Sequence, residues 1–462
     1  VQRAPPADDL TLARRASLAI VGSIPSLQEI RWFEAQPGSN RLQKYIDRLL
    51  EDRRFADVLA EEWTAEWLPD DLATYIATDR RLRLRYWLAD QIHGGRPYDE
   101  IVRDLLSANG LWTDAPAVNF ITAHEADPVQ LAGRTARAFL GLRLDCAECH
   151  NHPFAPWKQS DFRGLAAFFA RTTFSSRGVS DDGPVYRFDA DGPDGGVVAL
   201  PNVPYDPPEG WNSDSLRGRL AEWTTSPENE RFGRAVANRV WKRMFGRGIV
   251  EPVDDLDGAA AVEGVLEVLS EDFRANGFDL KRLYRVIGAS EAFSLASDLD
   301  QDATGEQAGA FAAYPAVRLS AGEIARCLIQ ISSLRTVDED AGALARVKAF
   351  IDRQDFVKYF QTAVPDDAGA VSQRLMLMNG PMVHERIRAD WFHAAGRVAA
   401  SPASDRARVE SAFLACLARR PTEAEASYFT SRLAEAGKAR RGRVIEDMYW
   451  ALVNSTDFQY RR

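Results

Sequence analysis

Apolar positions recur at helical spacing along most of the chain, and polar turn residues interrupt them every 10 to 20 positions. Ser26 and Glu29 after Pro25 form a capping-box signal that opens a helix through about Phe33. Leu42, Tyr45, Ile46, Leu49 and Leu50 trace one buried stripe, and Phe55, Val58, Leu59, Trp63 and Trp67 trace the next. Core packing is the reading for both tryptophans. Further helices are predicted at about 79 to 93, ending in His93 beside the negative end of its dipole, and at 99 to 107, capped by Asp99. Asp127 before Pro128 starts another, with Leu131, Thr135, Ala138 and Phe139 inward. Ser160 is read as the cap of a helix carrying Phe162, Leu165, Phe168 and Phe169.

From about 172 to 214 the texture changes to Gly, Pro, Asp and Ser. Val185 to Phe188 and Val197 to Leu200 read as strands of a short hairpin around DADGPDGG. Asp181, Asp182, Asp189, Asp191 and Asp194 lack the ordered spacing of a calcium loop, so turn chemistry explains them. A second helical block comes next, with Phe232, Val236, Val240 and Trp241 before the turn FGRG, then a polar loop at 296 to 316. Ser320 with Glu323 and Thr422 with Glu425 open later helices, and an amphipathic segment from about Val444 to Leu452 docks near the end. The fold class expected is mainly α: two helical domains, 8–175 and 215–462, joined by a hairpin and linker at 176–214.

Charge narrows the function classes. The chain has 462 residues, 57 basic and 67 acidic side chains, net −10, with both signs mixed along the helices, which is unlike a nucleic-acid-binding surface. No apolar run reaches the roughly 18 residues of a membrane span. The polar, proline-containing opening VQRAPPADD has the character of a segment just behind a removed export signal, and equally that of a cloned fragment. Cys327 and Cys416 sit in apolar helical contexts and are expected to be buried free thiols.

Chemistry concentrates in CAECHNHPF, where Cys146, Cys149, His150 and His152 take two of the four cysteines and two of the six histidines. C-x-x-C-H is the attachment pattern of haem c, with Cys146 and Cys149 joining the porphyrin and His150 ligating iron. The same residues could bind zinc or iron directly, with His152 enlarging the ligand set, or form a structural disulfide. The aromatic helix after the motif suits a haem wall and an ordinary core equally well.

The stretch LAGRTARAFLGLRLDCAECHNHPFAPWKQSDFRGLAAFFA, preceded by RRASLAIVGSIPSLQEI, resembles a planctomycete-type cytochrome-like domain carrying C-x-x-C-H. The segments FGRAVANRVWKRMFGRGIVEPVDDLD, FDLKRLYRVIGASEAF, VRLSAGEI, RLMLMNGPMV, LARRPTEAE and DMYWALVNSTDFQ resemble the C-terminal domain of unknown function paired with it. The Pro-Ser-His segment usual after the Asp-Asp pair is replaced by GAAAVEGVLEVL, so no role of that histidine carries over.

The resemblance strengthens Cys146, Cys149 and His150 as one unit, and Asn151 and His152 also align. A sixth iron ligand would come from His124, Met376, Met378 or Met382; the plainer expectation is a surface histidine and ordinary core methionines. Asn238, Arg239, Trp241, Asp254 and Asp255 match the second domain's pattern, either as a buried ion network of Arg239 with the Asp-Asp pair or as an acid/base site lined by Trp241.

These readings lead to an exported, periplasmic c-type haem protein transferring electrons, linked to oxidation of organic substrates such as carbohydrates. Redox or envelope proteins would be its partners, without nucleic acid or a membrane span. The alternatives are a metal-dependent polysaccharide-active enzyme without haem and a non-enzymatic component of an envelope assembly. Whether the chain is an enzyme stays open.

Overall fold

The computed structural model describes residues 3–69, 75–189, 196–205, 214–297, 309–337, 351–358 and 369–462. It is mainly α, with two short antiparallel two-stranded sheets among the described residues. Two compact units divide the chain. One joins Val1–Arg54 to Gly288–Arg462, and the other is the continuous stretch Phe55–Ile287. No described helix is long and apolar enough to cross a membrane.

In the discontinuous unit, the Asp9–Val21 helix starts at Asp8, whose carboxylate accepts from the amides of Leu10 and Thr11. Its Arg15 is fully buried, donating to the carbonyls of Phe293, Leu295 and Arg462 and lying 3.7 Å from the Tyr314 ring centre. Three carbonyl acceptors and an aromatic face offset the cost of taking this guanidinium out of water. The Ser26, Ser320 and Thr422 capping boxes all form, opening Leu27–Glu34, Ala321–Ile331 and Glu423–Val453. The last of these bends at Gly437, whose φ of 57° leaves the helical region. The Asp405–Leu417 helix packs along it.

The continuous unit opens with the Phe55 to Trp67 stripe on the Arg53–Trp67 helix, where Trp63 and Trp67 stack at 5.2 Å and are buried as expected. Tyr98 stacks on Phe232 at 5.3 Å, and Phe232 meets Phe278 edge-on at 5.6 Å, which ties Tyr98–Ser107 to Glu230–Phe245. The helix expected at 79 to 93 is Tyr75–His93, with His93 exposed at its end.

Three local expectations are corrected. Asp99 is not a cap: the helix begins at Tyr98 after Pro97, and Asp99 pairs with Arg103 at 2.8 Å in its first turn. Ser160 lies inside the Gln159–Ala166 helix, whose start is fixed by Asp161 accepting from the Lys158 amide at 2.8 Å. The hairpin falls earlier than expected, at Thr173–Ser175 with Gly178–Ser180. Of the pairing expected around 189 to 196, the reciprocal Phe188–Val197 bridge remains. Asp191, Asp194 and most of the 296 to 316 loop lie outside the described residues.

Candidate functional site

The chain reaches the cysteine motif through the Pro128–Thr135 helix, capped as expected by Asp127. It continues as a π-helical turn, Ala136–Leu140, which Gly141 ends with φ 57°. Such wide turns carry carbonyls that standard helical bonding does not satisfy. Arg239, 5% exposed, donates to the carbonyls of Ala138 at 2.6 Å and Arg137 at 2.7 Å, and to Glu66 at 2.8 Å. Gly141 leaves no room for a side chain, since a Cβ there would stand 2.6 Å from Leu256 Cγ. Its carbonyl accepts from the Leu256 amide at 2.8 Å.

The motif itself forms one helical turn, Asp145–Cys149. Ala147 is its buried anchor, while Cys146, Cys149 and His150 are exposed. The i, i+3 spacing puts the two thiols on the same face, and they are not bridged. Asp145 pairs with Arg137 at 2.5 Å and Asp254 with Arg143 at 2.7 Å, and Arg137 also lies 3.6 Å from Asp254. Burial resists ionisation of Asp254, but the hydrogen bonds and charge of Arg143 outweigh it and hold the carboxyl below its ordinary range.

The two histidines differ in chemistry. His150 Nδ1 lies 2.8 Å from the carbonyl of Asn151. A carbonyl only accepts, so Nδ1 carries the proton and the lone pair of the neutral ring is on Nε2. His152 is the opposite case: its Nδ1 accepts from the amides of Phe154 at 3.2 Å and Ala155 at 2.9 Å. The proton of its neutral ring is therefore on Nε2, and the side chain closes the NHPF turn. Among the described residues no cluster of three or more His, Cys, Asp or Glu side chains is arranged to hold a metal ion.

Of the residues that support the motif, Gln159 escaped sequence reasoning. Gln159 donates to the carbonyls of Cys149 at 2.8 Å and Glu148 at 3.2 Å, and its amide donates to Asn151 Oδ1 at 3.0 Å. Trp157 donates from its indole to Asp257 at 3.0 Å, with Arg231 against its ring. The signal available was the amide side chain just past the loop prolines, which reads as an ordinary polar helix start. Phe154 stands 95% exposed beside the motif, whereas Phe162, Phe168 and Phe169 are 2% exposed or less, within the protein interior.

The other candidates are dispersed. His124 is fully buried instead of lying at the surface, with Nδ1 2.7 Å from the Phe120 carbonyl. Burial pulls its pKa down to about 4. Met376, Met378 and Met382 belong to the other unit, where Met376 and Met382 pack against the core. Arg239 pairs with Glu66, and the two carboxylates of the Asp-Asp pair have separate partners: Asp254 holds Arg143, and Asp255 accepts from the Asp257 amide at 3.2 Å. Asn238 is structural, its side chain bonding the backbone of Ile249 and Val250 after the FGRG turn. Cys327 and Cys416 are buried free thiols, and burial pushes the Cys327 pKa up to about 11.

The chain has the paired architecture of two domain families of unknown function. Residues 1–174 match the family model PSCyt2, a protein of unknown function (DUF1549), and residues 216–354 match PSD1, a protein of unknown function (DUF1553). The later motifs RLMLMNGPMV, LARRPTEAE and DMYWALVNSTDFQ lie beyond the second matched segment. No curated protein and no solved structure matches the chain.

Proposed function

We propose that the chain is an exported c-type haem protein that transfers electrons. The observation carrying this reading is the state of the Asp145–Cys149 turn: two exposed, unbridged thiols followed by an exposed imidazole whose Nδ1 is engaged by the Asn151 carbonyl. That donor set fits haem c: Cys146 and Cys149 would hold it covalently and His150 Nε2 would ligate its iron. When bound, the haem would supply one-electron chemistry. The protein's part is to fix the tautomer and orientation of His150 through Asn151, to hold the turn's carbonyls through Gln159, and to offer the apolar surface of Phe154 beside it. Export accompanies this reading because bacterial haem c is attached outside the cytoplasm. Redox partners in the envelope and the oxidation of organic substrates such as carbohydrates belong to the same proposal.

His152 fits the direct-metal alternative poorly, since its Nδ1 lone pair is committed to two backbone amides. The test is the intact mass and visible spectrum of protein matured in a cell competent for haem c attachment. A mass gain of one haem and a sharp band on reduction are expected. An unmodified mass without a visible band overturns the proposal and turns attention to metal analysis.

A further inference from the structure

The unit formed by Val1–Arg54 and Gly288–Arg462 contains a recess of about 430 Å³ that lies within it alone. Its lining includes Arg31, Arg335, Arg397 and Arg408 and no acidic residue, in a chain whose net charge is −10. Its apolar lining is Leu334, which is half-buried, with Leu27 and Val398, which are almost fully buried. The size lies in the range of small-molecule sites, roughly 300 to 1,000 Å³. Gln28 donates its amide to the Leu334 carbonyl at 3.1 Å, fixing the start of the Leu27–Glu34 helix beside the loop that carries Arg335.

The arginines are not equivalent. Arg408 is 6% exposed; its Nη1 is paired with Asp405 at 2.6 Å and its Nη2 donates to the Ser401 carbonyl at 2.5 Å, while its buried Nε has no partner among the described residues. Arg31 and Arg397 are exposed and have no ion-pair or side-chain hydrogen-bond partner among the described residues. A buried N–H left unsatisfied is costly, and guanidinium groups gathered around a concave apolar surface focus positive potential on it.

We propose that this recess binds a small organic oxyanion, a carboxylate or a phosphate or sulfate ester, with the anionic group held by Arg31 and Arg397 and the apolar body against Leu334. Guanidinium donors suit planar and tetrahedral oxyanions, and the charge asymmetry selects against cations.

Isothermal titration of the full chain with phenyl phosphate, inorganic phosphate and phenol at low salt tests it. Saturable one-to-one binding of phenyl phosphate is expected, with both the ring and the anion required, so the two partial probes bind at least about tenfold more weakly. The Arg31→Ala/Arg397→Ala variant, which removes exposed side chains without ion-pair partners among the described residues, is expected to lose about tenfold or more in affinity for phenyl phosphate while keeping its circular dichroism and melting temperature. Absence of saturable phenyl phosphate binding, or unchanged affinity in the folded variant, overturns the assignment. Equal affinity for inorganic phosphate and phenyl phosphate overturns the role given to the apolar surface.

Discussion

Arg239 donates to the carbonyl oxygen of Ala138 at 2.6 Å, so a helix of the second matched segment supports the π-helical turn leading into the cysteine motif. Replacing Arg239 by Met strands the carbonyls of Arg137 and Ala138 and leaves Glu66 without its guanidinium. A loss of about 3 kcal/mol in urea unfolding is expected. Arg239→Lys should recover only part of it, because one ammonium cannot span the acceptors a guanidinium fork reaches.

Cys146→Ser and Cys149→Ser separate a cofactor anchor from a structural clip. Both thiols are exposed and unbridged, so each variant should unfold within about 0.5 kcal/mol of the parent in chemical denaturation of the haem-free chain. Under the haem proposal, the double variant should lose covalent attachment by mass spectrometry. A large stability loss in the haem-free single variants would instead favour the clip.

His124 sets a pH dependence. Its pKa falls from the ordinary 6.5 to about 4 because burial disfavours the charged ring. Between these values the unfolded chain binds more protons than the folded one, so stability rises with pH. The contribution is fully present above about pH 6.5 and is lost progressively as pH falls toward 4, amounting to about 3 kcal/mol. Urea midpoints measured from pH 7.5 to 4.5 should therefore decline, and His124→Asn should flatten that part of the profile.

Gly141→Ala should cost about 2 to 4 kcal/mol, from a positive φ and from the contact with Leu256. Combining it with Leu256→Ala relieves the contact and leaves the conformational strain, about 1 kcal/mol. Thermal melts of the single and double variants should therefore show coupling between positions that are adjacent in space and far apart in sequence.

What could be read in advance was local. The serine and threonine capping boxes, the Asp127 cap and the tryptophan stripe each depend on residues a few positions apart, and each formed. Asp99 and Ser160 failed as caps because the helices are capped two positions earlier, at Pro97 and Lys158. The motif residues were legible from spacing, but the hydrogen bonds that make His150 and His152 chemically opposite depend on loop conformation. The Arg239–Glu66 pair spans 173 residues, and the arginine recess gathers side chains from separated segments. Neither leaves a periodic trace.

The buried position of Arg15 also sets an order of assembly. Its Nε donates to a carbonyl 447 residues further along the chain, so the Asp9–Val21 helix cannot make this contact until that later segment has been synthesised. Phe55–Ile287, which includes the cysteine motif, is uninterrupted and has its full set of residues well before then. Of the two units the discontinuous one is completed second, and its closure carries the loop entropy of bringing together segments separated by the whole of Phe55–Ile287.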